Sequence, residues 1–108
     1  MAELAVILID ARKGVLTQTR RHSYLCYLLG IKNIVLAVNK MDLVDYDQIT
    51  FETSVADYRQ FLDSIGIFEF IAIPISGLKG DNIVEHSNNT GWYKGPTLIG
   101  HLENLELI

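Results

Sequence analysis

Cysteine is nearly absent. Cys26 is the one thiol in 108 residues, so no internal disulfide holds this chain together. Set in an apolar helical stretch, it reads as a small core residue rather than a reactive group. Proline is scarce too, with two. Basic residues are outnumbered, 9 Lys and Arg against 13 Asp and Glu, for a net charge of −4. Basic residues adjoin only at Arg12-Lys13 and Arg20-Arg21, so no basic stripe marks a nucleic-acid partner. No apolar run approaches the ~18 residues of a membrane span. The opening run Leu4 to Ile9 follows Glu3 and lacks a basic leader, so it does not read as a signal peptide. His22, His86 and His101 share no metal-ligand spacing, and no metal site or catalytic residue is read here. There are no internal repeats.

What is plentiful is apolar. Hydrophobic residues make up 49%, and mean hydropathy is +0.22. A chain of this length forms one domain and buries roughly two-thirds of its unfolded surface. The apolar excess fits a sheet covered on both faces, or part of something larger.

The apolar runs Leu4 to Ile9, Ile34 to Val38 and Phe70 to Ile75 read as strands, the first two buried on both faces as parallel strands are. Pro74 cannot donate to a ladder, so the third lies at a sheet edge or turns its proline outward. Between them, Thr17 can cap a helix from about Gln18 to Leu29, with Tyr24, Leu25, Leu28 and Leu29 inward and Gly30 ending it. Asp47 can cap a second, in which Phe51, Val55, Tyr58, Leu62 and Ile65 step by four, three, four and three before Gly66. A long loop from Ser76 to Gly95 follows, with Trp92-Tyr93 as its packing anchor. Pro96 can open a last helix at N1, with Leu98, Ile99, Leu102 and Leu105 inward. The order strand-helix, three times over, predicts an α/β fold in three layers: a parallel sheet with helices on both faces.

Ligands of such sheets bind outside the carboxyl ends of the strands. The second strand ends in Asn39-Lys40-Met41-Asp42 and the third in Ser76-Gly77-Leu78. A guanine base offers N1–H and a 2-amino group on one edge, and one carboxylate accepts both. Asp42 is placed to be that acceptor. Adenine lacks the amino group and would leave the carboxylate unpaired. Asn39 ties the loops together and approaches N7. The stem of Lys40 lies across the base with its ammonium in water. Gly77 offers its N–H to O6, and Ser76 braces the loop. Asp10 reads as a turn residue.

These motifs resemble the translation-factor class of GTPases. Asn39-Lys40-Met41-Asp42 matches their fourth guanine-nucleotide motif, and Ser76-Gly77-Leu78 their fifth, with Gly where Ala is usual. The resemblance extends further to the GTPase subunits of bacterial sulfate adenylyltransferase, including fusions with adenylylsulfate kinase. It runs through Leu8 to Leu16, Gln18 to Ser23, Leu29 to Lys32, Asn39 to Tyr46, Gly80-Asp81-Asn82 and Trp92 to Leu98. Thr90-Gly91 departs from the family's usual Met-Pro. The resemblance implies a cytoplasmic enzyme that couples GTP hydrolysis to making adenylylsulfate from ATP and sulfate, with a second, catalytic subunit as partner.

The sequence has no G-x-x-x-x-G-K-[ST] phosphate loop, and Asp10 to Gly14 has one residue too many for an Asp-x-x-Gly switch. In the family both precede the first strand seen here. Residues 1–108 are thus expected to be the second, guanine-recognition half of a P-loop GTPase domain. They should bind GTP or GDP at the base only, hold no Mg²⁺ ligands, and be inactive alone. With its sheet partner missing, the chain is expected to form a dimer or higher oligomer through Leu4 to Ile9, a swapped first strand being the favoured form. Three alternatives stand: an elongation factor-type GTPase, a receiver-like module with Asp10 as acceptor and Lys40 or Lys79 beside it, and a docking module using Lys79 to Gly95.

Overall fold

The computed structural model describes residues 4–67 and 69–104. Strand β1 (Leu4–Asp10) leads to α1 (Thr17–Leu28), then β2 (Asn33–Asn39), α2 (Gln48–Ile65), β3 (Ile71–Pro74) and α3 (Leu98–Asn104). Short 3₁₀ turns fall at Met41–Val44 and Asn88–Thr90. The sheet is parallel, in the order β1-β2-β3. Registers run from Leu4 opposite Asn33 to Asp10 opposite Asn39, and from Val35 opposite Ile71 to Val38 opposite Pro74. The shared registers bring the three carboxyl ends to one rim.

β2 is the central strand, and Ile34 to Val38 are all buried. One face, formed by Ile7, Ile9, Ile34, Leu36 and Val38, packs with Phe51, Tyr58 and Leu62 of α2 and with Cys26 of α1. The other face, formed by Val35, Ala37, Ile73 and Ile75, packs with Ile83, Tyr93 and Leu98 of α3. Helices thus cover both faces, as the three-layer reading requires. Asp47 caps α2 by accepting from Thr50 N–H at 2.9 Å, and Gly66 ends it at φ 93°. Pro74 lies on the edge strand, where its missing N–H is tolerated. Trp92 packs 5.4 Å from Phe51, so it does anchor the long loop.

Four expectations are corrected. β1 is buried on one face only: Ile7 and Ile9 are covered, whereas Val6 and Leu8 are 43% and 60% exposed. The second-face cover sits on β2 and β3 and leaves these two open. In α1, Tyr24, Leu25, Leu28 and Leu29 point outward, and Thr19 and Ser23 are the buried positions. Small side chains on the inner face leave room for Tyr58, whose phenol pairs with Ser23. Leu16, not Thr17, is the cap residue of α1, and Thr19 Oγ1 accepts its N–H at 3.4 Å. α3 starts after Thr97, whose hydroxyl accepts from Gly100 N–H at 3.0 Å, so Pro96 precedes the cap and is not at N1. Leu105 lies outside the described residues.

Candidate functional site

β2 ends at Asn39, and Lys40 adopts the left-handed region at φ 65°. That reversal starts the 3₁₀ turn Met41–Val44 and lifts Asp42 to the rim. Met41 is fully buried beneath, and its N–H donates to Ile75 O at 3.1 Å. The turn is thus plugged into the end of β3.

The two loops meet through side chains. Asn39 Oδ1 accepts from Gly77 N–H at 2.8 Å and from Lys40 N–H at 2.8 Å. Ser76 is fully buried, and its hydroxyl donates to Asp42 Oδ1 at 2.8 Å while accepting from Lys79 N–H at 3.1 Å. Asn39 therefore ties the loops, and Ser76 braces them, as the motif reading expects. A half-buried carboxylate held by one hydroxyl keeps lone pairs for donors arriving from solvent.

Gly77 behaves otherwise than expected. Its N–H is committed to Asn39 and not free for a ligand. Leu78 N–H, in the same turn, has no partner among the described residues, and the Leu78 side chain is exposed. The tight turn accompanies the exchange: Gly80 N–H donates to Ser76 O across it at 2.7 Å, with the Leu78 amide between them left unpaired among the described residues. A Cβ on Gly77 would lie 3.5 Å from Asn39 Oδ1, an ordinary contact, so the alanine usual at this position fits the same turn.

Lys40 does not leave its ammonium in water alone. Its Nζ lies 3.4 Å from Asp10 Oδ2 at the end of β1. Asp10 also accepts from Arg12 N–H at 2.8 Å, Arg12 Nε at 3.1 Å and Arg12 Nη2 at 2.7 Å. The Arg12 side chain holds the Asp10 carboxyl well below the ordinary carboxylate range. Burial opposes this, and the Arg12 amide and Lys40 add to it. Asp10 is a turn residue, as read, since Lys13 and Gly14 donate to its carbonyl, and its carboxylate also meets Lys40 of the Asn39–Asp42 loop. The register that sets Asp10 opposite Asn39 brings this about.

The loop after Ser76 is built around Asn82. That side chain is buried, donates to Pro74 O at 2.8 Å and Thr90 Oγ1 at 2.7 Å, and accepts from Ser87 N–H at 2.8 Å. Thr90 thus brings its own partner where the resembling family has methionine. Among the described residues no group of three His, Cys, Asp or Glu is placed to hold a metal ion, and no helix is long and apolar enough to cross a membrane.

A parallel sheet with two such loops side by side at its carboxyl rim is the architecture of a nucleotide-binding α/β domain. Residues 1–105 match the elongation factor Tu GTP binding domain family, and the chain belongs to that family. It is 53% identical over 106 residues to sulfate adenylyltransferase subunit 1 of Bacteroides thetaiotaomicron, covering 98% of this chain and 22% of that one. It is 56% identical over 105 residues to the bifunctional enzyme CysN/CysC of Xylella fastidiosa, covering 97% of this chain and 17% of that one. The chain thus spans about a fifth of the length of these curated relatives. Among solved structures, Sup35 complexed with GMPPNP is similar at 26% identity and a TM-score of 0.84, covering 94% of this chain and 29% of that one. Family membership sets the receiver-like reading aside. Lys40 does lie beside Asp10, as that reading expects, but it serves here within the rim of the family's nucleotide loops.

Proposed function

We propose that this chain supplies the guanine-recognition part of the GTPase subunit of a sulfate adenylyltransferase. In that reading the whole protein, a cytoplasmic enzyme, couples GTP hydrolysis to formation of adenylylsulfate from ATP and sulfate. A catalytic subunit carries out the adenylyl transfer. Asn39, Lys40, Asp42, Ser76, Gly77 and Leu78 form the base site. Asp42 accepts N1–H and the 2-amino group, Lys40 covers the ring, and the Leu78 amide meets O6. Gly77 acts through Asn39. The phosphates and the Mg²⁺ that travels with them lie on residues outside these loops.

The observation that carries the reading is the Ser76 hydroxyl on Asp42 Oδ1, with Asn39 Oδ1 on Gly77 N–H beside it. Together they brace the Asp42 and Ser76 turns against each other on one rim, which supports the reading of a shared base site. The names of the two curated relatives support the sulfate-activating role, and the GMPPNP complex of Sup35 supports the nucleotide class. The test is a thermal-shift series with GTP, GDP, ATP and XTP at millimolar concentration. The chain is expected to respond to GTP and GDP and not to ATP. Asp42→Asn should move the response to XTP, because an amide donates to the 2-oxo group of xanthine. An unchanged guanine preference in that variant rules out Asp42 as the base reader.

A further inference from the structure

The loop that follows Asn39 is strained. Lys40, Asp45 and Tyr46 have φ of 65°, 54° and 55°, and none is glycine. L residues rarely take this conformation, and it persists where the surroundings over-determine it. Tyr46 is held at three points. Its N–H donates to Met41 O at 2.9 Å, closing the 3₁₀ turn that carries Asp42. Its carbonyl accepts from Trp92 Nε1 at 3.1 Å. Its phenol donates to Asp81 Oδ2 at 2.8 Å.

Asp81 belongs to the other loop. Its backbone carbonyl accepts from Ser76 N–H at 3.3 Å, at the base of the turn that carries Ser76, Gly77 and Leu78. Its second carboxylate oxygen accepts from Ser87 Oγ at 2.6 Å and Asn89 Nδ2 at 3.3 Å. The next residue, Asn82, is the buried hub of the long loop and is itself left-handed at φ 58°. Asp81 therefore bonds both base-site loops at once: the Ser76 turn through its main chain, and the Asp42 turn through Tyr46. The phenol is a lasting donor, because burial and the adjacent Asp81 carboxylate push it up to about 12.

We propose that Asp81 and Tyr46 are positioning residues for guanine, a clamp between the Ser76 turn and the Asp42 turn that aims the Asp42 carboxylate at the 2-amino group. This gives the loop from Lys79 to Gly95 a role: it is the frame that holds the clamp. The proposal rests on the guanine reading above. The clamp touches no ligand. It acts through the angle of Asp42, so its loss should fall most on the 2-amino group, the substituent by which guanine adds a second bond to that carboxylate.

Hypoxanthine differs from guanine by lacking that amino group, which makes the GDP-to-IDP affinity ratio the deciding readout. The full chain, its Tyr46→Phe variant and its Asp81→Asn variant are titrated with GDP and with IDP. Amide NMR shifts at Gly77 and Leu78 follow binding. Wild type is expected to prefer GDP by about tenfold, the worth of one hydrogen bond to a charged acceptor. Tyr46→Phe, which keeps the ring and drops only the hydroxyl, should cut the ratio to about twofold or less, with the smaller loss on IDP, which makes only the N1–H bond to Asp42. Asp81→Asn, which retains an oxygen acceptor, should fall between. A general loosening of the fold weakens both nucleotides alike and keeps the ratio, so a wild-type ratio in Tyr46→Phe overturns the clamp while the base site stands. A wild-type chain that does not prefer GDP over IDP overturns the base reading and the clamp together.

Discussion

The hydroxyl of Ser23 and the phenol of Tyr58 meet at 2.7 Å inside the helical layer, both fully buried. The Ser23 hydroxyl also donates to Thr19 O at 2.8 Å. With that proton spoken for, the phenol donates to Ser23 Oγ. Burial pushes the Tyr58 phenol upward in pKa, so it remains protonated. This buried bond ties α1 to α2 beneath the more exposed Arg20–Asp57 ion pair at 3.7 Å and the Arg20 guanidinium over the Phe61 ring.

Ser23→Ala is therefore expected to cost more than its size implies. It leaves a buried donor without a partner, worth roughly 1–3 kcal/mol. Tyr58→Phe removes the donor as well and should cost less, about 1 kcal/mol, because nothing is orphaned. Urea unfolding of the two variants checks the order. Equal losses, or a larger loss for Tyr58→Phe, contradict the assigned direction of the bond.

This contact also explains where sequence reading failed. Helical spacing in α1 picks out Tyr24, Leu25, Leu28 and Leu29 as a stripe, and a stripe is ordinarily buried. The helix instead buries Thr19 and Ser23, whose polar atoms find partners only in the folded chain. Nothing local announces that. In α2 the periodic residues are also the packed ones, so Phe51, Tyr58 and Leu62 were legible. At the site the two motifs were legible because each is contiguous and ends a strand. Asp10, Asp81, Tyr46 and the Leu78 amide were not, because their roles come from register and from turns that bring distant positions together.

The Asp10 pair gives a pH prediction. The folded carboxyl is held below its ordinary value by Arg12 and, further, by Lys40. A depressed folded pKa contributes stability that is full above the unfolded value, near ~3.9, and is lost as pH falls from there through the folded one. Asp10→Asn should thus lower the melting temperature at pH 7 by about 2–4 °C. The gap between variant and wild type should hold down to about pH 5 and narrow progressively below about pH 4. High salt should narrow it at pH 7. A gap that widens on acidification contradicts the assignment.

Nucleotide affinity of the chain alone should be low. The base contacts lie on described loops, whereas no phosphate-cradling glycine-rich loop occurs in the sequence. Base recognition without phosphate contacts is expected to give a Kd for GDP in the millimolar range, about 4 kcal/mol of binding free energy. Phosphate release from GTP should not exceed the buffer rate. Calorimetry that returns a micromolar Kd overturns this.

The last prediction concerns β1. Its inner edge pairs with β2, and among the described residues nothing pairs with its outer edge. Val6 and Leu8 are exposed on its uncovered face. A groove of about 400 Å³ follows the strand from Val6 to Asp10, bordered by Leu16, Gln18, Thr19 and His22. Free N–H and C=O groups along an apolar edge recruit another strand. The chain taken alone is therefore expected to self-associate, two copies of β1 pairing across a twofold axis. Exchange of the whole strand is disfavoured, because the expected hinge is a closed turn: Lys13 and Gly14 N–H both donate to Asp10 O at 2.9 Å, and Arg12 locks the Asp10 side chain. Edge-to-edge pairing keeps that turn intact. Val6→Lys places a charge on the shared face and should shift the chain to monomer at ~100 µM, where wild type is a dimer or larger. Light scattering on both distinguishes the outcomes. A wild-type monomer at that concentration, or an oligomer that survives Val6→Lys unchanged, removes β1 as the contact.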